Sequence, residues 1–141
     1  MITEAAAAYA AGLFDGEGHV SMRIVKNRGR SRGHSFTVSV RLLMCDREPL
    51  DTLQASFGGV VRKKCLTPKG RPVYNLDWSR NEQEHFVKAI LPYATGKRQQ
   101  LELYLAGRAL IRGSFARVTE EEWQQRDGLC NALLACRAVP T

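Results

Sequence analysis

The chain has 141 residues, 44% of them hydrophobic and 25% charged, which suits one soluble domain with a real core. No run of apolar residues is long enough to span a membrane, and no basic stretch followed by an apolar one opens the sequence, so neither a membrane span nor a signal peptide is expected and the protein is read as intracellular. Lys and Arg number 21 against 14 Asp and Glu, a net charge of +7 with a pI near 9.6, which favours an anionic partner: nucleic acid first, an anionic membrane surface second.

Thr3 can cap a helix running from Glu4 to about Asp15, which Gly16 and Gly18 stop. Ala8, Ala11 and Gly12 leave part of its surface nearly bare, open to the approach of another backbone, while Tyr9, Leu13 and Phe14 supply the larger apolar contacts. "HVSMRIVKN" (19–27) alternates with period two and predicts a strand; "RGRSRG" (28–33) is a basic turn; "SFTVSVRLLM" (35–44) is a second strand. Asp46 can cap a short helix with Pro49 in its first turn and Leu50, Leu53 and Phe57 on its apolar side; Gly58 and Gly59 end it. "VVRKKCL" (60–66) is a third strand, with Arg62 and Lys64 expected on one face. After the turn "TPKGRP" comes a fourth, "VYNLDW" (73–78), with Tyr74, Leu76 and Trp78 inward and Val73, Asn75 and Asp77 outward.

The remainder predicts helices. Asn81 with Glu84 spells a capping box before "HFVKAIL", Thr95 or Gly96 opens "KRQQLELYLAGRALIRG", and Thr119 with Glu122 spells another box before "WQQRDGLCNALLACRAV". Glu120, Glu121 and Glu122 suit a helix N-terminus better than a metal site. Cys45, Cys65, Cys130 and Cys136 lack CxxC spacing, and His19, His34 and His85 are irregularly placed, so free thiols are expected rather than a zinc site.

The order αββαββα with a C-terminal helical extension predicts an α+β fold: one four-stranded antiparallel sheet with helices on one face, in one domain over 1–141, with a core at about 3–112 and the extension at about 113–141. The other face carries Ser21, Arg23, Asn27, Ser35, Thr37, Ser39, Arg41, Arg62, Lys64 and Asn75, with Asp77 as its one acid. A solvated face alternates in the same way. Here, though, the residue types are those that read base edges, and the turns add cations, which makes a nucleic-acid surface the better reading. Arg23, Arg41, Arg62 and Lys64 suit guanine, Asn27 and Asn75 adenine, and the hydroxyls either base. Arg28, Arg30, Arg32, Lys69 and Arg71 suit phosphates.

Glu17 raises a separate question, because a helix C-terminus disfavours acids. Gly16 leaves its carbonyl open to approach, and a carboxylate beside a bare carbonyl is a hard oxygen donor set that suits Mg²⁺ (or Mn²⁺).

Residues 10–18, "AAGLFDGEG", resemble the LAGLIDADG motif of a family of homing endonucleases: Ala11, Gly12, Leu13, Asp15 and Gly18 match it outright, and Glu17 stands for its second Asp. "FGGVVRKK" and "LPYATGKRQQLELYLA" resemble later landmarks of that family, whose element order is also αββαββα. The resemblance implies that Glu17, helped by the Gly16 carbonyl, binds the catalytic metal, that Lys97 acts near the active site, and that Asp15 is mainly structural. It implies an intron-encoded homodimer packed through this helix at Ala8, Ala11, Gly12 and Asp15. Its two sheets would form a saddle in the DNA major groove and make a double-strand break in a long, near-palindromic site by in-line phosphodiester hydrolysis. The compartment implied is a bacterial or phage-infected cytoplasm, or an organelle. The alternative within the resemblance is a non-cleaving relative: a maturase that binds intron RNA, or a DNA-binding regulator. One departure stands out. Some relatives carry a water-orienting polar residue, often Gln, after the second strand, whereas this chain has Met44 there with Glu48 downstream, neither of which substitutes for it, so that Gln54, Arg47 or another residue takes the role or the water network is looser.

Overall fold

Thr3 starts the first helix as expected: its hydroxyl accepts the Ala6 N–H at 3.0 Å, and α1 runs Glu4–Glu17. The helix is longer than its glycines suggest. Gly16 lies inside it, Glu17 is its last residue rather than one beyond it, and the Gly18 N–H closes it on the Phe14 carbonyl. No loop follows, because β1 begins at Gly18. A Cβ on Gly18 would lie 2.3 Å from the Phe14 ring, so the abrupt helix-to-strand junction depends on the missing side chain.

The computed structural model describes residues 2–26, 34–111 and 118–138. After α1 come β1 (Gly18–Lys26), β2 (His34–Met44), α2 (Glu48–Phe57), β3 (Val60–Leu66), β4 (Pro72–Asp77), α3 (Arg80–Ile90), a 3-10 turn (Leu91–Tyr93), α4 (Arg98–Ala109) and α5 (Glu120–Ala138). The four strands form one sheet in the order β1-β2-β4-β3, and β4 runs antiparallel to both β2 and β3. The architecture is the α+β, four-stranded antiparallel one expected. The basic segment holding Asn27, Arg28, Arg30 and Arg32 lies outside the described residues.

Three local readings are corrected. The capping box of α3 is Ser79 with Glu82, not Asn81 with Glu84: the Ser79 hydroxyl accepts the Glu82 N–H at 3.3 Å and the Glu82 carboxylate accepts the Ser79 N–H at 2.9 Å. Trp78, stacked on Phe86, fixes where the chain turns, and the helix starts immediately after it. At α2 the N-cap position is Arg47, and Asp46 reaches in from one residue earlier to accept the Glu48 N–H at 3.1 Å. In β3 the register shifts between Lys63 and Cys65, so the strict alternation that would place Arg62 and Lys64 on one face is interrupted at Lys64.

The chain divides into two compact units. The first, Met1–His19 with Val40–Arg98, is built around the fully buried Phe86. Phe57 meets its ring edge-on at 4.9 Å, Trp78 stacks at 4.3 Å, and Phe14 approaches edge-on at 6.0 Å. Such pairs add about 0.5–1.5 kcal/mol each beyond burial. Ala10, Ala11, Leu42, Leu50, Leu53, Leu76 and Ile90 belong to the same core.

The second unit, Val20–Ser39 with Gln99–Thr141, groups the C-terminal helix with the first two strands, so the predicted extension has a core of its own to join. Val20, Met22, Val38, Leu101, Tyr104 and Leu133 are buried in it. Arg126 is buried as well: its guanidinium lies over Phe36 at 5.1 Å and Trp123 at 4.8 Å and donates to the Leu110 carbonyl at 3.0 Å. Arg108 donates to the Val38 carbonyl at 3.1 Å and ties α4 to β2.

Candidate functional site

The C-terminal end of α1 is held by a turn some eighty positions later in the chain. The Asp15 carboxylate accepts the Thr95 N–H at 2.9 Å, the Thr95 hydroxyl at 3.0 Å and the Lys97 N–H at 2.9 Å. Lys97 answers in the other direction: its ammonium donates to the carbonyls of Phe14 at 3.2 Å and Asp15 at 3.0 Å. The cation that a helix C-terminus calls for is thus present, supplied from elsewhere in the chain. Thr95 is the partner that sequence reasoning missed. Its signal was a hydroxyl and a glycine just ahead of a helix, a turn suited to receiving a carboxylate.

The clamp perturbs both charges. Partial burial pushes the Asp15 carboxyl up, but donation from the Thr95 and Lys97 N–H groups, the Thr95 hydroxyl and the Gly96 N–H outweighs it, leaving its pKa below the ordinary 3.8. For Lys97, desolvation dominates and lowers the pKa from 10.5, while the charges of Asp15 and Glu17 pull the other way without cancelling it.

Glu17 is exposed, and so is Gly16, around which a Cβ would meet nothing within 4 Å. Lys97 takes the carbonyls of Phe14 and Asp15 and is not bonded to that of Gly16. An exposed carboxylate next to an exposed glycine, whose carbonyl is a further oxygen donor, fits a hard divalent cation that keeps waters and takes its remaining ligands from phosphate oxygens. Among the described residues, no group of three or more His, Cys, Asp or Glu could hold a metal ion unaided. Gln54 and Arg47 have partners of their own: Gln54 donates to the Gly59 carbonyl at 3.0 Å, and Arg47 pairs with Asp51 at 3.2 Å. Arg98, the cation next to Lys97, donates to the carbonyls of Ala94 at 2.9 Å and Pro92 at 3.1 Å.

The residues expected at a helix–helix contact separate into two sets. Ala8 and Gly12 are exposed, as is Tyr9. Ala11 is fully buried, and Asp15 is occupied by Thr95 and Lys97, so Ala11 has no surface to offer a second copy and the Asp15 carboxylate already has partners.

On the strands of the second unit, Arg23 and Thr37 are exposed, Ser21, Ser35 and Ser39 are half-buried, and the Thr37 hydroxyl lies 3.5 Å from the Arg23 carbonyl. In the first unit, Arg62, Lys64 and Asp77 are exposed, whereas Arg41 and Asn75 are half-buried. Asp77 accepts Arg62 Nε at 3.3 Å and the side-chain amide of Asn75. Lys69 and Arg71 are exposed on the β3–β4 turn, which is braced by Thr67: its N–H donates to the Arg71 carbonyl at 2.7 Å and its hydroxyl accepts the Arg71 N–H at 3.0 Å. No helix among the described residues is long and apolar enough to cross a membrane.

No family profile matches the sequence, and no curated protein matches it. Solved structures do. The homing endonuclease I-CvuI, crystallised with a DNA target in the presence of Mg, is 19% identical with a TM-score of 0.74, over 96% of this chain and 83% of that one. The archaeal intron-encoded homing endonuclease I-Vdi141I, in complex with DNA, is 19% identical with a TM-score of 0.74, over 96% and 86%. The homing endonuclease I-TnaI is 19% identical with a TM-score of 0.66, over 97% and 95%. These neighbours are LAGLIDADG homing endonucleases, and the fold of this chain is theirs.

Proposed function

From that shared fold, we propose that the protein is a site-specific DNA endonuclease that depends on a divalent metal and works as a homodimer, making a double-strand break in a long, near-palindromic duplex. The observation that carries this reading is the end of α1. An exposed carboxylate, Glu17, and the accessible Gly16 sit where a helix terminus repels acids, and a dedicated lysine holds the carbonyls beside them.

Glu17 and the Gly16 carbonyl would hold the cation. When bound, Mg²⁺ polarises the phosphodiester and lowers the pKa of the attacking water. The chain's own residues do the rest. Asp15 fixes the end of α1 against the Thr95–Lys97 turn, so the Glu17 backbone is set before substrate arrives. Lys97 brings a positive charge to the same end, favourable to an anionic phosphodiester. Exposed Ala8 and Gly12 make α1 the face through which two copies would pack, each contributing one Glu17. Cations and hydroxyls on strands suit the major groove of B-form DNA, which admits a β-ribbon; A-form RNA closes its major groove to side chains.

The test is cleavage of a randomised duplex library in Mg²⁺ by the wild-type chain and by Glu17→Gln, with the cut ends sequenced. Cuts at one near-palindromic site, absent in EDTA and in the variant, are expected. Selective retention of one duplex without cuts would replace the nuclease reading with that of a non-cleaving regulator, which the engagement of Gln54 and Arg47 with partners of their own would then explain. Preference for a structured RNA over every duplex would put a maturase in its place.

A further inference from the structure

Arg62, Asn75 and Asp77 form a linked set on the exposed side of the β3–β4 hairpin. Arg62 lies opposite Asn75 in the register, and Asp77 follows two positions along β4. Asp77 takes Arg62 Nε on one carboxylate oxygen and the Asn75 amide on the other. We propose that Asp77, held by Asn75, positions Arg62 to read a guanine in duplex DNA, so that two residues that touch no base set the specificity of a third. The inference rests on the DNA-binding reading above.

Three observations carry it. The first is chemical. Asp77 engages Nε, so the contact leaves Nη1 and Nη2, which together present the fork that pairs with guanine O6 and N7. The Arg62 side chain is 66% exposed. The second concerns Asn75. Reading adenine requires the amide oxygen and nitrogen together, but Asn75 Oδ1 is buried and its Nδ2 is on Asp77. That geometry makes Asn75 a support for Asp77 and not the adenine reader its residue type suggests. The third is electrostatic. Asp77 is the one carboxylate in all four strands, on a surface otherwise cationic or neutral. An exposed ion pair adds little to stability, and a carboxylate facing DNA lowers non-specific attraction to phosphates. What it returns is orientation: it converts a mobile arginine, able to sit on any phosphate, into one aimed at a base edge.

The experiment is selection from a randomised duplex library, sequencing the bound fraction, with the full chain as wild type, Arg62→Ala, Asp77→Ala, Asp77→Asn and Asn75→Ala. Thermal melting establishes that each variant is folded. Arg62→Ala is expected to lose a guanine preference at one position of each half-site, by about 5- to 150-fold. Asp77→Ala should lose preference at that same position while its overall duplex affinity holds or rises, since one negative charge is gone. Asn75→Ala should weaken the same preference. Asp77→Asn keeps an acceptor for Nε and should retain more of it than Asp77→Ala. A folded Asp77→Ala that keeps the guanine, or that shifts preference at a different position from Arg62→Ala, would overturn the inference and leave DNA binding intact. A wild-type chain that enriches no duplex would overturn the DNA-binding reading and this inference with it.

Discussion

Asp15 and Lys97 each bind the chain segment that carries the other. The Asp15 carboxylate accepts the Lys97 N–H at 2.9 Å, and the Lys97 ammonium donates to the Asp15 carbonyl at 3.0 Å. One residue lies in the last turn of α1 and the other immediately precedes α4, so N–H groups of the turn leading into α4 and a carbonyl at the end of α1 are served by a single exchange. Glu17 lies two residues beyond Asp15, and its backbone is set by this exchange.

Asp15→Asn should cost about 1–3 kcal/mol, because a carboxylate receiving several N–H and O–H donors is replaced by an amide that can satisfy only part of them. The loss should depend on pH. The folded pKa of Asp15 lies below its ordinary 3.8, so its contribution is fully present above about pH 4 and disappears as pH falls through the depressed folded value. Urea unfolding of both proteins between pH 7 and pH 3 measures this: the gap should narrow on acidification, and a constant gap would show that the charge of Asp15 is not what the turn responds to.

Lys97→Met should behave differently although it removes the other half of the exchange. Desolvation of the ammonium outweighs the attraction of Asp15 and Glu17, so the charge is maintained against its surroundings. The substitution also removes a donor from two carbonyls, but that of Phe14 keeps the Gly18 N–H, so the lost hydrogen bond to Asp15, of about 0.5–1.5 kcal/mol, is offset in part by the desolvation that is no longer incurred. Unfolding free energy is expected within about 1 kcal/mol of wild type, while metal-dependent cleavage falls. A loss of stability as large as that of Asp15→Asn would make the ammonium a structural cap.

Gly18→Ala tests the helix-to-strand junction. The new methyl would overlap the Phe14 ring, whose nearest atoms lie 2.3–2.5 Å away. Phe14 is fully buried and packs on Phe86, so it cannot swing aside without disturbing that core. A destabilisation of about 1–3 kcal/mol, typical of overpacking, is expected in thermal or urea melts.

Much of this was legible in the residues themselves. The alternation of "SFTVSVRLLM" placed β2 to within one residue, and the mixture of small and large side chains in "AAAYAAGLF" marked α1 and its Thr3 cap. What escaped was decided at a distance. "SRNE" and "NEQE" both spell capping boxes, and the choice between them follows from the stacking of Trp78 on Phe86, which no local pattern records. Lys64 fell out of alternation because a register shift is a property of two strands. Arg126 stands in a stretch whose sequence predicts only a helix, and it is buried against Phe36 and Trp123. At the candidate site, Glu17 and Gly16 stood out by breaking a helix-end rule, whereas the partnership of Asp15 with Thr95 spans too much sequence to be visible as spacing.

Gly12→Ala separates the protomer from its proposed dimer, because the two respond with opposite sign. Within the protomer a Cβ at Gly12 would meet nothing within 4 Å, and alanine is favoured over glycine inside a helix by up to about 1 kcal/mol. The folded monomer should therefore gain stability, by a few tenths to about 1 kcal/mol, in urea unfolding at protein concentrations low enough to keep it monomeric. If α1 packs closely against α1 of a second copy, the same methyl intrudes where two backbones meet, and sedimentation equilibrium should show self-association weakened by about tenfold, the equivalent of 1.4 kcal/mol. Gly16→Ala, equally open and one turn further along, supplies a second reading of the same face. Stabilised monomers with unchanged self-association would move the dimer contact away from α1, and with it the expectation that two Glu17 carboxylates act side by side.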